Sequence, residues 1–181
     1  MKHQLKISNG AIVVTLLLIA CTKTYSQRSV EAYGAIGGTV ADVEKWAGLS
    51  PNDWGTGMSG WSIQAFLIGN DAIAGGLEDG YSYLMWYTFN DGNFNIERNV
   101  EANRILLMGR LFPNKSLLTE FGLGLYLFDG FSDLTIAGGI GYKIKITDQL
   151  SIPLKVRVDA VLDQEAFLLP VGINGGVAYK F

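Results

Sequence analysis

The chain has 181 residues, 49% of them hydrophobic, with 14 basic and 17 acidic side chains and a net charge of −3. An acidic balance of this kind excludes nucleic acid as a natural partner, because binding to a phosphate backbone rests on clustered Lys and Arg. Glycine is abundant at 23 residues and proline scarce at 4, a balance that suits many strands joined by tight turns.

The N-terminal segment reads as an export signal. Lys2 and Lys6 open it, Ala11 to Ala20 is an uncharged apolar run, and small polar residues follow. The run is too short to cross a bilayer as a helix. Cleavage after Ser26, with Thr24 and Ser26 as the small residues, predicts a signal peptide over 1–26 and a mature chain over 27–181 starting at Gln27. A second pattern overlaps it: Leu18-Ile19-Ala20-Cys21 fits a lipoprotein signal, in which Cys21 would be acylated. The strand pattern that begins soon after Ser29 favours the first reading.

Removing the signal takes away three lysines and no acid, so the charge falls from −3 to −6. It also takes away His3 and Cys21, the only histidine and cysteine of the sequence. A mature chain from Gln27 then has no disulfide, no thiolate nucleophile, no Cys/His zinc site and no Ser-His-Asp arrangement. No catalytic residue, metal site or cofactor is expected.

After the signal, alternation with a period of two predicts eight strands. Ser29 to Gly38 is the first, and Ser59 to Ile68 the second, with Trp61, Ile63, Ala65 and Leu67 on one face. Gly75 to Phe89 places Leu77, Tyr81, Tyr83, Met85 and Tyr87 together. Glu101 to Phe112 sets Ile105, Leu107 and Leu111 against Arg104, Met108 and Arg110. Leu117 to Phe128 sets five apolar residues from Leu117 to Leu127 and Thr119 against Glu120, Gly122 and Gly124. Leu134 to Thr147 is the clearest, with Leu134, Ile136, Ile140, Tyr142, Ile144 and Ile146 on one face. Leu150 to Ala160 repeats the scheme, and Leu168 to Phe181 completes the set. Several runs approach the ~9–11 residues that a tilted strand needs to cross a bilayer.

The connections alternate in length. Residues 69–71, 113–115 and 147–149 are short and rich in turn formers. Thr39 to Met58 and Asn90 to Asn99 are long. The pattern matches the periplasmic turns and external loops of outer-membrane barrels, and an even strand count returns both termini to the periplasmic side.

The last strand alternates Ile173, Gly175, Val177, Tyr179 and Phe181 with smaller or polar residues. It resembles the C-terminal signal strand of bacterial outer-membrane barrels, which implies that Tyr179 and Phe181 serve as the signal read by the barrel assembly machinery. The mature chain as a whole resembles small outer-membrane barrels of the eight-strand type. The stretch Gly80-Tyr81-Ser82-Tyr83-Leu84-Met85-Trp86-Tyr87 looks like porin-family proteins of the Bacteroidetes kind. The fold expected is all-β, an eight-stranded antiparallel up-and-down transmembrane barrel, located by export in a Gram-negative outer membrane with lipid as its surroundings.

A soluble lipocalin-like barrel would alternate too, with its apolar face inward. Eight strands enclose barely enough space for side chains, so the many large Leu, Ile, Tyr and Phe fit better outside. Glycines at 122, 124, 139, 141 and 176 then line the inside and leave room for long polar side chains. That assignment predicts a lumen charge network in which Arg104, Arg110, Lys143, Lys145, Lys155, Arg157 and Lys180 meet Glu78, Glu101, Glu120 and Asp159. Such a network can line a narrow passive channel, or it can fill the lumen, the reading that eight strands favour.

Among the loops, Asp42 to Trp54 carries Trp46 and Trp54, which suit either an unidentified surface ligand or packing on the barrel rim. Asn90-Asp91-Gly92-Asn93 echoes a calcium loop without its later ligands and reads as a turn. The function expected is a structural or surface-interaction role without enzymatic activity. A lipid-modifying barrel enzyme is disfavoured because the families it would resemble use a histidine with a serine.

Overall fold

The computed structural model describes residues 27–41, 54–90, 95–162 and 167–181. They form eight strands: β1 (Gln27–Ala41), β2 (Trp54–Ile68), β3 (Ile73–Asn90), β4 (Asn95–Leu111), β5 (Leu117–Leu127), β6 (Ser132–Lys145), β7 (Leu150–Leu162) and β8 (Phe167–Lys180). Each strand pairs antiparallel with the next, and β8 closes on β1, so the sheet is a closed up-and-down barrel. Closure leaves no sheet edge, so the strands satisfy their ladder groups against one another around the ring, interrupted at the register shifts of β2 and β3.

The register fixes the stagger. Following paired residues around the ring runs from Glu31 through Gln64, Glu78, Leu106, Gly124, Thr135, Val161 and Leu168 and returns to β1 at Ala41. The circuit therefore climbs ten residues along β1, and a stagger of that size on eight strands tilts them by roughly 40°.

The outer wall is the apolar one. Leu107 is 66% exposed and Ile140 59%, whereas Glu78 and Arg104, one step away in parity, are 0% and 2% exposed. Most of the large apolar residues thus face outward, those packed inside being confined to buried clusters such as Leu84, Met85 and Leu168 or Phe66, Leu106 and Met108, and the inward-apolar lipocalin arrangement does not occur. Two inward glycines show why the lumen needs them. A Cβ at Gly80 would stand 2.9 Å from the Ser62 side chain and 3.3 Å from the Arg104 guanidinium carbon. One at Gly141 would overlap Lys155 at 2.5 Å.

One end of the barrel carries the short turns. Asn70 Oδ1 accepts from the backbone N–H groups of Ala72 (2.8 Å) and Ile73 (2.9 Å), and Thr147 Oγ1 accepts from that of Leu150 (2.9 Å). Side chains that mimic backbone acceptors in this way hold tight reversals. At the opposite end the strands run further than their hydropathy suggests. β3 and β4 stay paired to Asn90 and Asn95, so the ladder takes in six of the ten residues expected as the loop Asn90 to Asn99. Polar pairs such as Thr88 with Glu97 continue the ladder beyond the apolar band, because ladder hydrogen bonds do not require apolar side chains.

The alternation of β3 also breaks. Its register against β4 shifts between Tyr83 and Met85, leaving Leu84 as an extra residue. A bulge of this kind inverts the parity of everything beyond it. Met85, expected outside with Tyr81 and Tyr83, is instead fully buried with Leu84, Val100, Ala102, Tyr126, Val161 and Leu168. The Thr39 hydroxyl of β1 donates to the Leu84 carbonyl at 2.7 Å and satisfies a group that the bulge leaves unpaired. This apolar cluster sits inside the barrel towards the end remote from the short turns.

Candidate functional site, a charged network in the barrel lumen

Below the apolar cluster the inward positions mix a second buried apolar group, Phe66, Ile68, Ala74, Leu106, Met108 and Ala137, with polar and charged residues that join in one chain of hydrogen bonds. The half nearer the short turns is built around Arg110 of β4. Its Nη1 and Nη2 donate to the two carboxylate oxygens of Glu31 on β1, both at 2.6 Å, a fork that matches a carboxylate in two places. Its Nε donates to Glu120 Oε1 of β5 at 2.9 Å. Glu120 Oε2 accepts from Lys155 Nζ of β7 at 2.5 Å. The Tyr33 hydroxyl also donates to Glu31, and Lys143 Nζ lies 3.6 Å from the same carboxylate. Aromatic faces complete the shell: the Arg110 guanidinium lies 3.9 Å from the Phe66 ring centroid, and Lys155 Nζ 3.9 Å from that of Tyr33.

The other half is built around Glu78 of β3. Its Oε1 accepts from Arg104 Nε of β4 at 2.5 Å and its Oε2 from Arg157 Nη1 of β7 at 2.5 Å. Arg157 Nε donates to Asp159 Oδ1 at 2.6 Å, and the Tyr126 hydroxyl donates to Asp159 Oδ2 at 2.5 Å. Arg104 Nη1 also donates to the Ser82 hydroxyl. One side chain joins the halves. Gln64 of β2 donates through Nε2 to Glu78 and accepts through Oε1 from Lys155 Nζ at 3.1 Å.

Eight strands of this stagger bring both walls within reach of one another. β3 and β7 are four strands apart in a ring of eight, so the Glu78–Arg157 contact crosses the barrel axis. The network holds five cations, Arg104, Arg110, Lys143, Lys155 and Arg157, against four carboxylates, Glu31, Glu78, Glu120 and Asp159. Charges taken this far from water are tolerable only when they are paired, and each of these nine has at least one partner of opposite sign within 4 Å.

Three residues expected in the network stand outside it. Glu101 is exposed and sits on the outer wall, since its register partner is the outward Tyr83. Lys145 is exposed at the short-turn mouth, and Lys180, half-buried at the same mouth, donates to Asn114 Oδ1 at 3.0 Å. Both lysines have inward parity but lie too close to the strand ends to reach the central acids. Conversely, Glu31, Tyr33, Gln64, Ser82 and Tyr126 belong to the site and were not among the expected members. Their signal was present as parity: Glu31 and Tyr33 alternate with Val30, Ala32 and Gly34, and Tyr126 continues the series Glu120, Gly122, Gly124.

At the short-turn mouth, Tyr179 and Phe181 meet edge to face with ring centroids 4.9 Å apart. Tyr142 is exposed on the outer wall. Trp46 lies outside the described residues, as do residues 91–93 of the stretch expected as a turn; Trp54 is the first residue of β2. Among the described residues no group of His, Cys, Asp and Glu is arranged to hold a metal ion.

By sequence, no family model and no curated protein matches the chain. Its fold is similar to that of several solved outer-membrane barrels. Neisserial surface protein A superposes with a TM-score of 0.55 at 11% identity, covering 85% of this chain and 97% of that one. OprG of Pseudomonas aeruginosa gives 0.54 at 10% identity, covering 87% and 97%. The outer membrane protein AlkL, solved in lipid bilayers, gives 0.53 at 14%, covering 87% and 91%. At these identities the likeness is one of fold: a closed, all-antiparallel eight-stranded barrel of the outer-membrane kind.

Proposed function

We propose that this chain is an integral outer-membrane barrel with a structural or surface-interaction role, whose lumen is closed by its own side chains. The observation that carries the reading is the Glu78–Arg157 pair, made across the barrel axis within a network that also ties β1 to β4 and β5 to β7. A lumen held shut by paired charges from opposite walls is a strut, and it makes the barrel a rigid anchor. The exposed apolar wall supports the membrane setting, since an outward belt of Leu, Ile, Val and Phe is soluble only in lipid or detergent. The short-turn end then faces the periplasm and the long-loop end the exterior. An enzymatic role has no support in the site, because residues 27–181 contain neither histidine nor cysteine and every central carboxylate is engaged by a cation.

Separation of inner and outer membranes from cells making the protein tests the location. The expected result is recovery with outer membrane and release only by detergent. Recovery as a soluble periplasmic monomer would contradict the reading.

A further inference from the structure

The network accounts for the central charges but not for the mouth beneath it. At the short-turn end a cavity of about 130 Å³ opens towards solvent, lined among others by Ser29, Asn114, Lys143, Lys145, Ser151 and Lys180. That volume is well above the roughly 10–15 Å³ required by one water. Three ammonium groups converge on it from β6 and β8. The acids facing it are Glu31, whose two oxygens are already held by the Arg110 fork, and Asp148 in the β6–β7 turn. Positive charge is therefore in excess at this end.

A second, independent feature lies in the same cavity. Ser29 is 4% exposed, and its hydroxyl has no hydrogen-bond partner. A buried polar atom left in that state calls for a ligand, because nearly all such groups in folded proteins are satisfied. The chemistry available narrows what the ligand is. The Arg110 fork is consumed, so no planar guanidinium remains to grip a carboxylate in two places. What remains are ammonium point charges and the Ser29 hydroxyl, with Lys180 sharing its donors with Asn114 and Lys143 only 3.6 Å from a Glu31 oxygen that Arg110 already holds, a donor set suited to a small tetrahedral oxyanion.

The geometry points to a phosphate-binding site in the short-turn mouth, with Ser29, Lys143, Lys145 and Lys180 as its donors. This goes beyond the closed-barrel reading and does not depend on which way the barrel faces. The phosphate has two sources of the same chemistry: a free phosphate or phosphate monoester in solution at that mouth, or the headgroup of a neighbouring lipid. Most of the lining residues sit on inward parity or in turns around the axis, so the free ion has the more direct access.

The test is calorimetric titration of inorganic phosphate into the purified, folded barrel in a maltoside detergent at low ionic strength. One saturable site in the millimolar range is expected. Lys145→Gln, at an exposed strand end, should weaken it about tenfold, and Ser29→Ala severalfold. Lys115→Gln, in a turn at the same end but not lining the cavity, should leave it unchanged. Added phosphatidylglycerol that competes with the free ion identifies the headgroup as a second source, and lack of competition assigns the site to soluble phosphate. Absence of saturable binding, equal loss with Lys115→Gln, or binding of the lipid without the free ion would overturn the assignment.

Discussion

Arg157 on β7 and Glu78 on β3 meet at 2.5 Å although they start from opposite walls of the barrel. Glu78 also holds Arg104, and Arg157 also holds Asp159, so one contact across the axis locks four charged side chains. The barrel is thereby braced from within at the level where a wider one would carry water.

Glu120 takes the same position in the lower half, between Arg110 and Lys155. Glu120→Ala leaves Lys155 with only the Gln64 carbonyl oxygen and one aromatic face. Loss of one member of a buried pair costs about 3–5 kcal/mol. Urea unfolding in lipid vesicles should show a clear fall in midpoint, and Lys155→Met added to Glu120→Ala should recover part of it. A midpoint that does not move would mean that the pair is not desolvated in the folded barrel.

Gln64 is the polar link between the halves. Gln64→Leu removes a donor to Glu78 and an acceptor for Lys155, and should cost about 1–3 kcal/mol. The more telling readout is a double-mutant cycle. Glu120→Ala and Glu78→Ala should be non-additive in the parent barrel and close to additive in the Gln64→Leu background.

The outer wall has its own test. Ile140 and Val156 are exposed register partners midway along β6 and β7. Arginine at either site should destabilise the barrel by ~2–4 kcal/mol, the cost of a cation near the bilayer midplane. Ser151→Lys, inward at the wet mouth, should cost far less. Equal costs measured by folding titrations into vesicles would contradict the outward assignment.

Thr39 tests the bulge. Its hydroxyl satisfies the Leu84 carbonyl, and Thr39→Val keeps the shape while leaving that carbonyl unpaired. The expected loss is about 1–3 kcal/mol, with hydrogen exchange rising first around Leu84 and Met85.

Alternation alone made the barrel, its strand count and its wet and dry faces legible, because parity is a local property of a strand. Partner choice is not local. Glu31 and Arg110 are 79 positions apart, and only the ten-residue stagger brings them to one level. The same limit explains Lys145 and Lys180, whose parity is inward but whose depth is the mouth. Met85 failed for a different reason: one inserted residue reversed parity without leaving a glycine or proline to mark it.

Single-channel recording of the unmodified protein in planar bilayers tests the closed lumen most directly. The network predicts no steady conductance, in the parent barrel or after conservative changes on the outer wall. Sustained, ion-selective openings in the unmodified protein, with a selectivity altered by Glu120→Ala, would contradict a closed lumen and make this barrel a narrow channel.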